Sequence, residues 1–167
     1  LKLDFADFAN SVLSFRTPVV KGKEIVYCTT NGTQAIEMAA GADKIVLGAF
    51  SILSALTRWL EKADMNVVIL CAGWKNRFNL EDSVFAGALT ERLLESGTFK
   101  TECDSTNAAL NLWSIAKVDL PDYIDKAEHS ERLRKLGLKE EIPYSLSLDE
   151  SNIIPVWKEG KIRGEQA

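Results

Sequence analysis

From Lys23 onward, short apolar runs alternate with longer stretches in which apolar residues recur every three or four positions. Glu24–Thr29, Lys44–Leu47 and Asn66–Ala72 are rich in β-branched and apolar residues and bounded by polar or glycine positions, which predicts three strands. Between and after them lie three helical patterns. Gly32–Ala40 carries helix formers and meets Gly41, a natural C-terminal stop. Ser51–Ala63 puts Ile52, Leu53, Leu56, Trp59 and Leu60 on one face, with Ser51 as its N-cap. Asn79–Ser96 carries a stripe of Leu80, Val84, Phe85, Ala88, Leu89 and Leu93.

Three consecutive strand–helix units predict an α/β fold: a three-layer α/β/α sandwich around a mainly parallel sheet. Helices over Ser105–Lys117 and Pro121–Leu136 are expected to follow. Two short extended pieces, Ile142–Leu146 and Ile153–Trp157, close the chain, with a terminal hairpin at Trp157–Ile162. The charged stretch Asp122–Glu141 alternates in sign and reads as a solvated helix face. His129, the only histidine, sits in that polar stretch and reads as an exposed helical residue.

At 167 residues, 46% hydrophobic and 26% charged, the chain has the make-up of one globular domain and not of a disordered one. No apolar run reaches the roughly 18 residues of a membrane span. The net charge of −4, with 20 basic and 24 acidic residues intermixed, gives no electrostatic basis for a nucleic-acid or membrane partner. Cys28, Cys71 and Cys103 are too few and too scattered for a disulfide framework or a zinc site, so a reducing, cytoplasmic setting is expected.

Ligands of an open parallel sheet bind beyond the carboxyl ends of its strands. That rule makes three loops converge: Thr29–Thr33, Gly48–Ser51 and Cys71–Arg77. The first offers hydroxyls, a carboxamide and a glycine ahead of a helix, which suits a phosphate or sulfonate and equally suits plain helix capping. It lacks the Gly-Lys-Ser/Thr of a nucleotide-binding P-loop. After the third loop, Asn79 is placed to cap a helix whose first turn holds Glu81 and Asp82. Those carboxylates serve either the helix dipole or a hard cation such as Mg²⁺. Trp74, outside any periodic apolar face, suits a pocket wall.

Cys71 and Arg77 also have the spacing of cysteine-dependent phosphatases, in which a thiolate attacks phosphorus and an arginine clamps the oxygens. Phe78 stands where those enzymes carry a hydroxyl, and no histidine precedes Cys71. The plain alternative is a small apolar residue ending a buried strand.

Several blocks together suggest a family. Thr30-Asn31-Gly32-Thr33, Cys71-Ala72-Gly73-Trp74, Phe78-Asn79-Leu80-Glu81-Asp82 and Phe85-Ala86-Gly87-Ala88, in this order, resemble the 2-phosphosulfolactate phosphatase family. Asp7–Ser11, His129–Gly137, Ile142 and Ile154-Pro155-Val156 extend the resemblance from about Asp7 to Trp157. The resemblance implies a Mg²⁺-dependent phosphoric monoester hydrolase acting on 2-phospho-3-sulfolactate or a related small phosphorylated acid, a step of coenzyme M synthesis. It assigns Thr30, Asn31, Gly32, Thr33, Gly73 and Trp74 to phosphate or substrate, and Arg77 joins them from its spacing to Cys71. Glu81 and Asp82 go to metal or acid–base chemistry, with Glu81 the freer to face the cleft, and Cys71 joins the same block.

The family's earlier segment, with an Asp-Val-x-Arg-Ala-Thr-like motif, has no counterpart here. The expectation is therefore that residues 1–167 form the C-terminal part of a longer phosphatase domain, with self-association one way to cover exposed faces. The competing expectation is a non-catalytic binding or assembly domain that keeps the fold.

Overall fold

The computed structural model describes residues 4–8, 11–127 and 141–167. His129, most of the charged stretch, and the helix expected beyond Ala127 lie outside the described residues.

The centre of the molecule is helical. Helix α1 spans Gly32–Met38, α2 Leu53–Ala63, α3 Leu80–Glu95, α4 Asp104–Ala116 and α5 Leu120–Asp125. Helix α3 is buried almost all round, through Ser83, Val84, Ala86, Gly87, Ala88, Leu89, Thr90 and Leu93. It lies between α2, which contributes Leu53, Leu56 and Leu60, and α4, which contributes Ala109, Trp113 and Ala116. The α3–α4 contact depends on Gly87. A Cβ built there would lie 2.1 Å from the carbonyl oxygen of Ala109, so only a glycine lets the two backbones approach this closely.

The N-terminus of α2 is capped from a distance. A short 3₁₀ turn, Phe50–Ile52, precedes it, and the Ser51 side chain does not cap it. Instead, the backbone N–H and the hydroxyl of Ser54 donate to the two carboxylate oxygens of Asp149, each at 2.7 Å. The loop around Asp149 also hydrogen-bonds to the 3₁₀ turn, through Asp149 N–H to Phe50 O and Ser151 N–H to Ser51 O.

The expected parallel-sheet sandwich does not form among the described residues. The sheet has three strands, β1 (Ile45–Val46), β2 (Ile153–Lys158) and β3 (Lys161–Gln166), in that order and antiparallel throughout. Strand β1 is the remnant of the predicted Lys44–Leu47. Its partner is not a neighbouring βα unit but the C-terminal hairpin, with Ile45 opposite Trp157 and Val46 opposite Val156. The hairpin does occur at the predicted turn, where Glu159 and Gly160 both take positive φ.

The other two predicted strands carry no regular secondary structure and join no ladder among the described residues. Glu24–Cys28 is exposed throughout, Val26 at 98%. Met65–Leu70 alternates: Met65, Val67 and Ile69 are half-buried, while Asn66, Val68 and Leu70 are exposed. A run read as a strand covered on both faces thus has one exposed side. Strand pairing, however, needs a partner at the right distance, and periodicity carries no information about that.

Ile142–Leu146 is a further correction. It is not extended, because Glu141–Ser145 is a short helix. Ile142 and Leu146 are both buried, four residues apart, which is one helical face and not strand alternation.

Candidate active site

Two loops close on each other between α1 and α3. In the first, Thr29 and Thr33 hold the entry to α1 reciprocally. Thr33 N–H donates to Thr29 Oγ1 at 3.1 Å, and the Thr33 hydroxyl donates to the Thr29 carbonyl at 2.7 Å. This local exchange relieves Asn31 of side-chain capping, although it occupies the N-cap position. Its carboxamide faces the other loop, where Oδ1 accepts the N–H of Lys75 at 3.2 Å.

The second loop is a miniature hairpin. Trp74 and Arg77 exchange both backbone hydrogen bonds, at 3.1 and 3.0 Å. The two residues between them, Lys75 and Asn76, have φ of 52° and 58°. Two consecutive left-handed residues define the type I′ turn, whose twist suits a tight antiparallel pair. Gly73 precedes it at φ +67°, and a Cβ there would sit 2.6 Å from the Arg77 carbonyl oxygen. Glycine is required at this position twice over. The Lys75 ammonium lies over the Trp74 ring, 4.6 Å from its centre.

Helix α3 anchors this hairpin. Asn79 caps the helix, its Oδ1 accepting from the N–H groups of Glu81 at 2.9 Å and Asp82 at 3.5 Å. Asp82 lies three residues after Asn79, the position from which a capping-box side chain reaches back. Instead, Asp82 Oδ2 accepts the N–H of Gly73 at 2.7 Å.

Between the loops lies a cleft of about 370 Å³. Asn31, Cys71, Gly73 and Arg77 border it, with Gln34 and Met38 from one face of α1 and Leu70 and Phe78 at the apolar side. The structure therefore brings together four of the residues singled out from sequence. It does not bring all of them. Thr30, Gly32, Thr33 and Trp74 support the walls but do not border the cleft, and neither Glu81 nor Asp82 borders it. The middle loop is also absent from the lining. Gly48 packs against Phe85, whose ring would be 2.4 Å from a Cβ at that position. Gln34 and Met38 were missed by the sequence reading. Their spacing of four on α1 was the available signal.

Charge in the site is distributed unevenly. Burial, and secondarily the neighbouring Asp82 carboxylate, push the Glu81 carboxyl above its ordinary range. Burial first, and then the charge of Asp82, also push the Cys71 thiol up, against a hydrogen bond from Ser83 that lowers it. A cysteine nucleophile needs the opposite shift. Among the described residues, Arg77 is in no ion pair.

The blocks that shape this cleft are those that carry the family resemblance. The sequence profile of the 2-phosphosulpholactate phosphatase family matches residues 1–160. The chain belongs to that family. A probable 2-phosphosulfolactate phosphatase of Caldanaerobacter subterraneus subsp. tengcongensis is 34% identical over 165 residues, covering 99% of this chain and 68% of the relative. A protein of the same description from Symbiobacterium thermophilum is 33% identical over 153 residues, covering 92% of this chain and 66% of its own. A third, from Clostridium novyi, is 33% identical over 162 residues, with 97% and 68% covered. This family member thus spans about two thirds of the length of these relatives. Among the described residues, no helix is long and apolar enough to cross a membrane.

Proposed function

We propose that the cleft binds the phosphate group of a small phosphorylated acid, 2-phospho-3-sulfolactate or a close analogue, for hydrolysis of its ester. The observation that carries this reading is the meeting of Asn31 and Arg77 in one cleft, with Asn31 inside a block that marks the family and Arg77 between two of them. An arginine fork matches two phosphate oxygens at once. Asn31 supplies the complement: with Oδ1 committed to Lys75, its amide N–H donors are the ones left for an anion. In hydrolysis, water attacks phosphorus, the bond to the ester oxygen breaks, and the alcohol of sulfolactate leaves with a proton. Preorganised donors stabilise the charge that develops on the phosphoryl oxygens.

The Mg²⁺ that the resemblance implies was expected on Glu81 and Asp82. This pair does not fit a resident site. One Asp82 oxygen is taken by Gly73 N–H, Glu81 is held toward its protonated form, and neither borders the cleft. Among the described residues, no three His, Cys, Asp or Glu side chains cluster as a cation site. No step is therefore assigned to a metal on these two residues. Cys71 borders the cleft, and the upward push that burial gives its thiol argues against the thiolate alternative.

The test is phosphate release from 2-phosphosulfolactate by the full-length protein, with phospholactate, which lacks the sulfonate, as comparison. Turnover with a preference for the sulfonated ester supports the reading. Absence of turnover on both, with no binding of inorganic phosphate, overturns it.

A further inference from the structure

We propose that Asp82 is a positioning residue: by accepting the Gly73 N–H it fixes the 73–77 hairpin so that Arg77 faces Asn31 across the cleft. This inference rests on the phosphate-binding reading of the cleft and gives Asp82 a role different from metal ligation or proton transfer.

The hairpin's own closure is one pair of backbone bonds between Trp74 and Arg77. It contains three left-handed positions, Gly73, Lys75 and Asn76. Left-handed backbone at non-glycine residues persists where the surroundings impose it. Two side-chain contacts from outside do so. Asn31 takes Lys75 N–H at the tip, at 3.2 Å, and Asp82 takes Gly73 N–H at the base, at 2.7 Å. The Asp82 contact is the shorter and is charge-assisted, which makes it the stronger. It also comes from the first turn of α3, the most buried helix of the fold, so the hairpin inherits a rigid support.

The geometry shows why an acceptor at this place matters to Arg77. Gly73 packs against the Arg77 carbonyl, so the base of the hairpin and the backbone of Arg77 move together. Releasing Gly73 frees both. The guanidinium then samples directions away from the cleft, and its effective concentration near a bound phosphate falls.

The role requires an acceptor oxygen at position 82 and does not require a proton donor or a full charge. Asn retains the acceptor and Ala does not, so the two variants separate positioning from ligation. In the full-length protein, Asp82→Ala is expected to raise the Kd for inorganic phosphate and lower kcat/KM by about tenfold or more, most of it in KM. Asp82→Asn is expected to stay within about threefold of wild type. Combining Asp82→Ala with Arg77→Ala should add little to Arg77→Ala alone, because both remove the same interaction. Amide exchange at Gly73, Lys75 and Arg77 should rise in Asp82→Ala and stay near wild type in Asp82→Asn.

The exchange measurement needs no substrate. It therefore judges the positioning claim even if the protein proves not to be a phosphatase. Unchanged exchange in Asp82→Ala overturns the proposal. So does an Asp82→Asn variant as impaired as the alanine one, which would mean that the charge itself acts, or full additivity with Arg77→Ala.

Discussion

Replacing Gly87 by alanine should destabilise the fold, although alanine is the better helix former. The added methyl would meet the Ala109 carbonyl oxygen at 2.1 Å, the carbonyl carbon at 2.6 Å and Trp113 Cβ at 2.8 Å. Ordinary contacts between such atoms are about 3.5–4.0 Å, so α3 and α4 must separate by roughly 1 Å or more. Two of the three obstacles are backbone, and no side-chain rotation relieves them. Overpacking of this kind costs about 1–3 kcal/mol and sometimes more. Alanine's helix propensity returns about 1 kcal/mol. The displacement also loosens Val84, Ala88 and Ala116, which are wholly buried nearby. The net expectation is a loss of about 2 kcal/mol, or a Tm drop of about 4–8 °C for a chain of this size. Thermal and urea melts followed by tryptophan fluorescence and circular dichroism measure it. An unchanged or raised Tm would refute the claim that the α3–α4 approach is set by the missing side chain at Gly87.

Two further outcomes follow from the site and from the α3–α4 seam. Cys71→Ser should keep most phosphatase activity, because a thiol pushed up in pKa contributes no thiolate at neutral pH; loss of turnover by orders of magnitude would restore the nucleophile reading. Glu91 accepts from Lys117 Nζ and from Trp113 Nε1, each at 2.7 Å, and its pKa is lowered chiefly by the Lys117 hydrogen bond. A lowered carboxylate pKa stabilises the fold above the ordinary carboxylate range and loses that stability as pH falls through the shifted value. Glu91→Gln should therefore be less stable than wild type at neutral pH, with the gap closing in acid, as read from Tm against pH; a gap that widens in acid would contradict the ion pair.

The helices were legible because their signal is local. Leu53, Leu56 and Leu60 declare one face of α2 within eight residues, and Asn79 marks the start of α3 by its own hydrogen bonds. Of the sheet, only the terminal hairpin was legible. Ile45 pairs with Trp157, more than a hundred positions away, and nothing in either run names the other. The same limit applies to the cap of α2, where Ser51 looked adequate and Asp149 does the work.

The site falls between these cases. Placing the Thr29–Thr33 and Cys71–Arg77 loops together was correct as to neighbours, even though the parallel sheet used to argue it is not formed. What the sequence could not show was the direction of each side chain. Asp82 was expected to turn back to its own helix or toward a ligand, and it binds the loop nine residues earlier. Glu81, expected to be the freer of the two to face the cleft, does not border it, and burial pushes its carboxyl pKa up.

The central claim is that Arg77 and Asn31 form the phosphate-binding part of the cleft. The most direct measurement is phosphate release from 2-phosphosulfolactate by full-length wild type, Arg77→Lys and Arg77→Ala, alongside inorganic-phosphate binding and a melting curve for each. The account predicts that Arg77→Ala keeps its Tm, binds phosphate at least tenfold more weakly and loses kcat/KM by about a hundredfold or more. Lysine, a point charge without the fork, should recover only part of that loss. Wild-type turnover and phosphate affinity in a well-folded Arg77→Ala protein would contradict it.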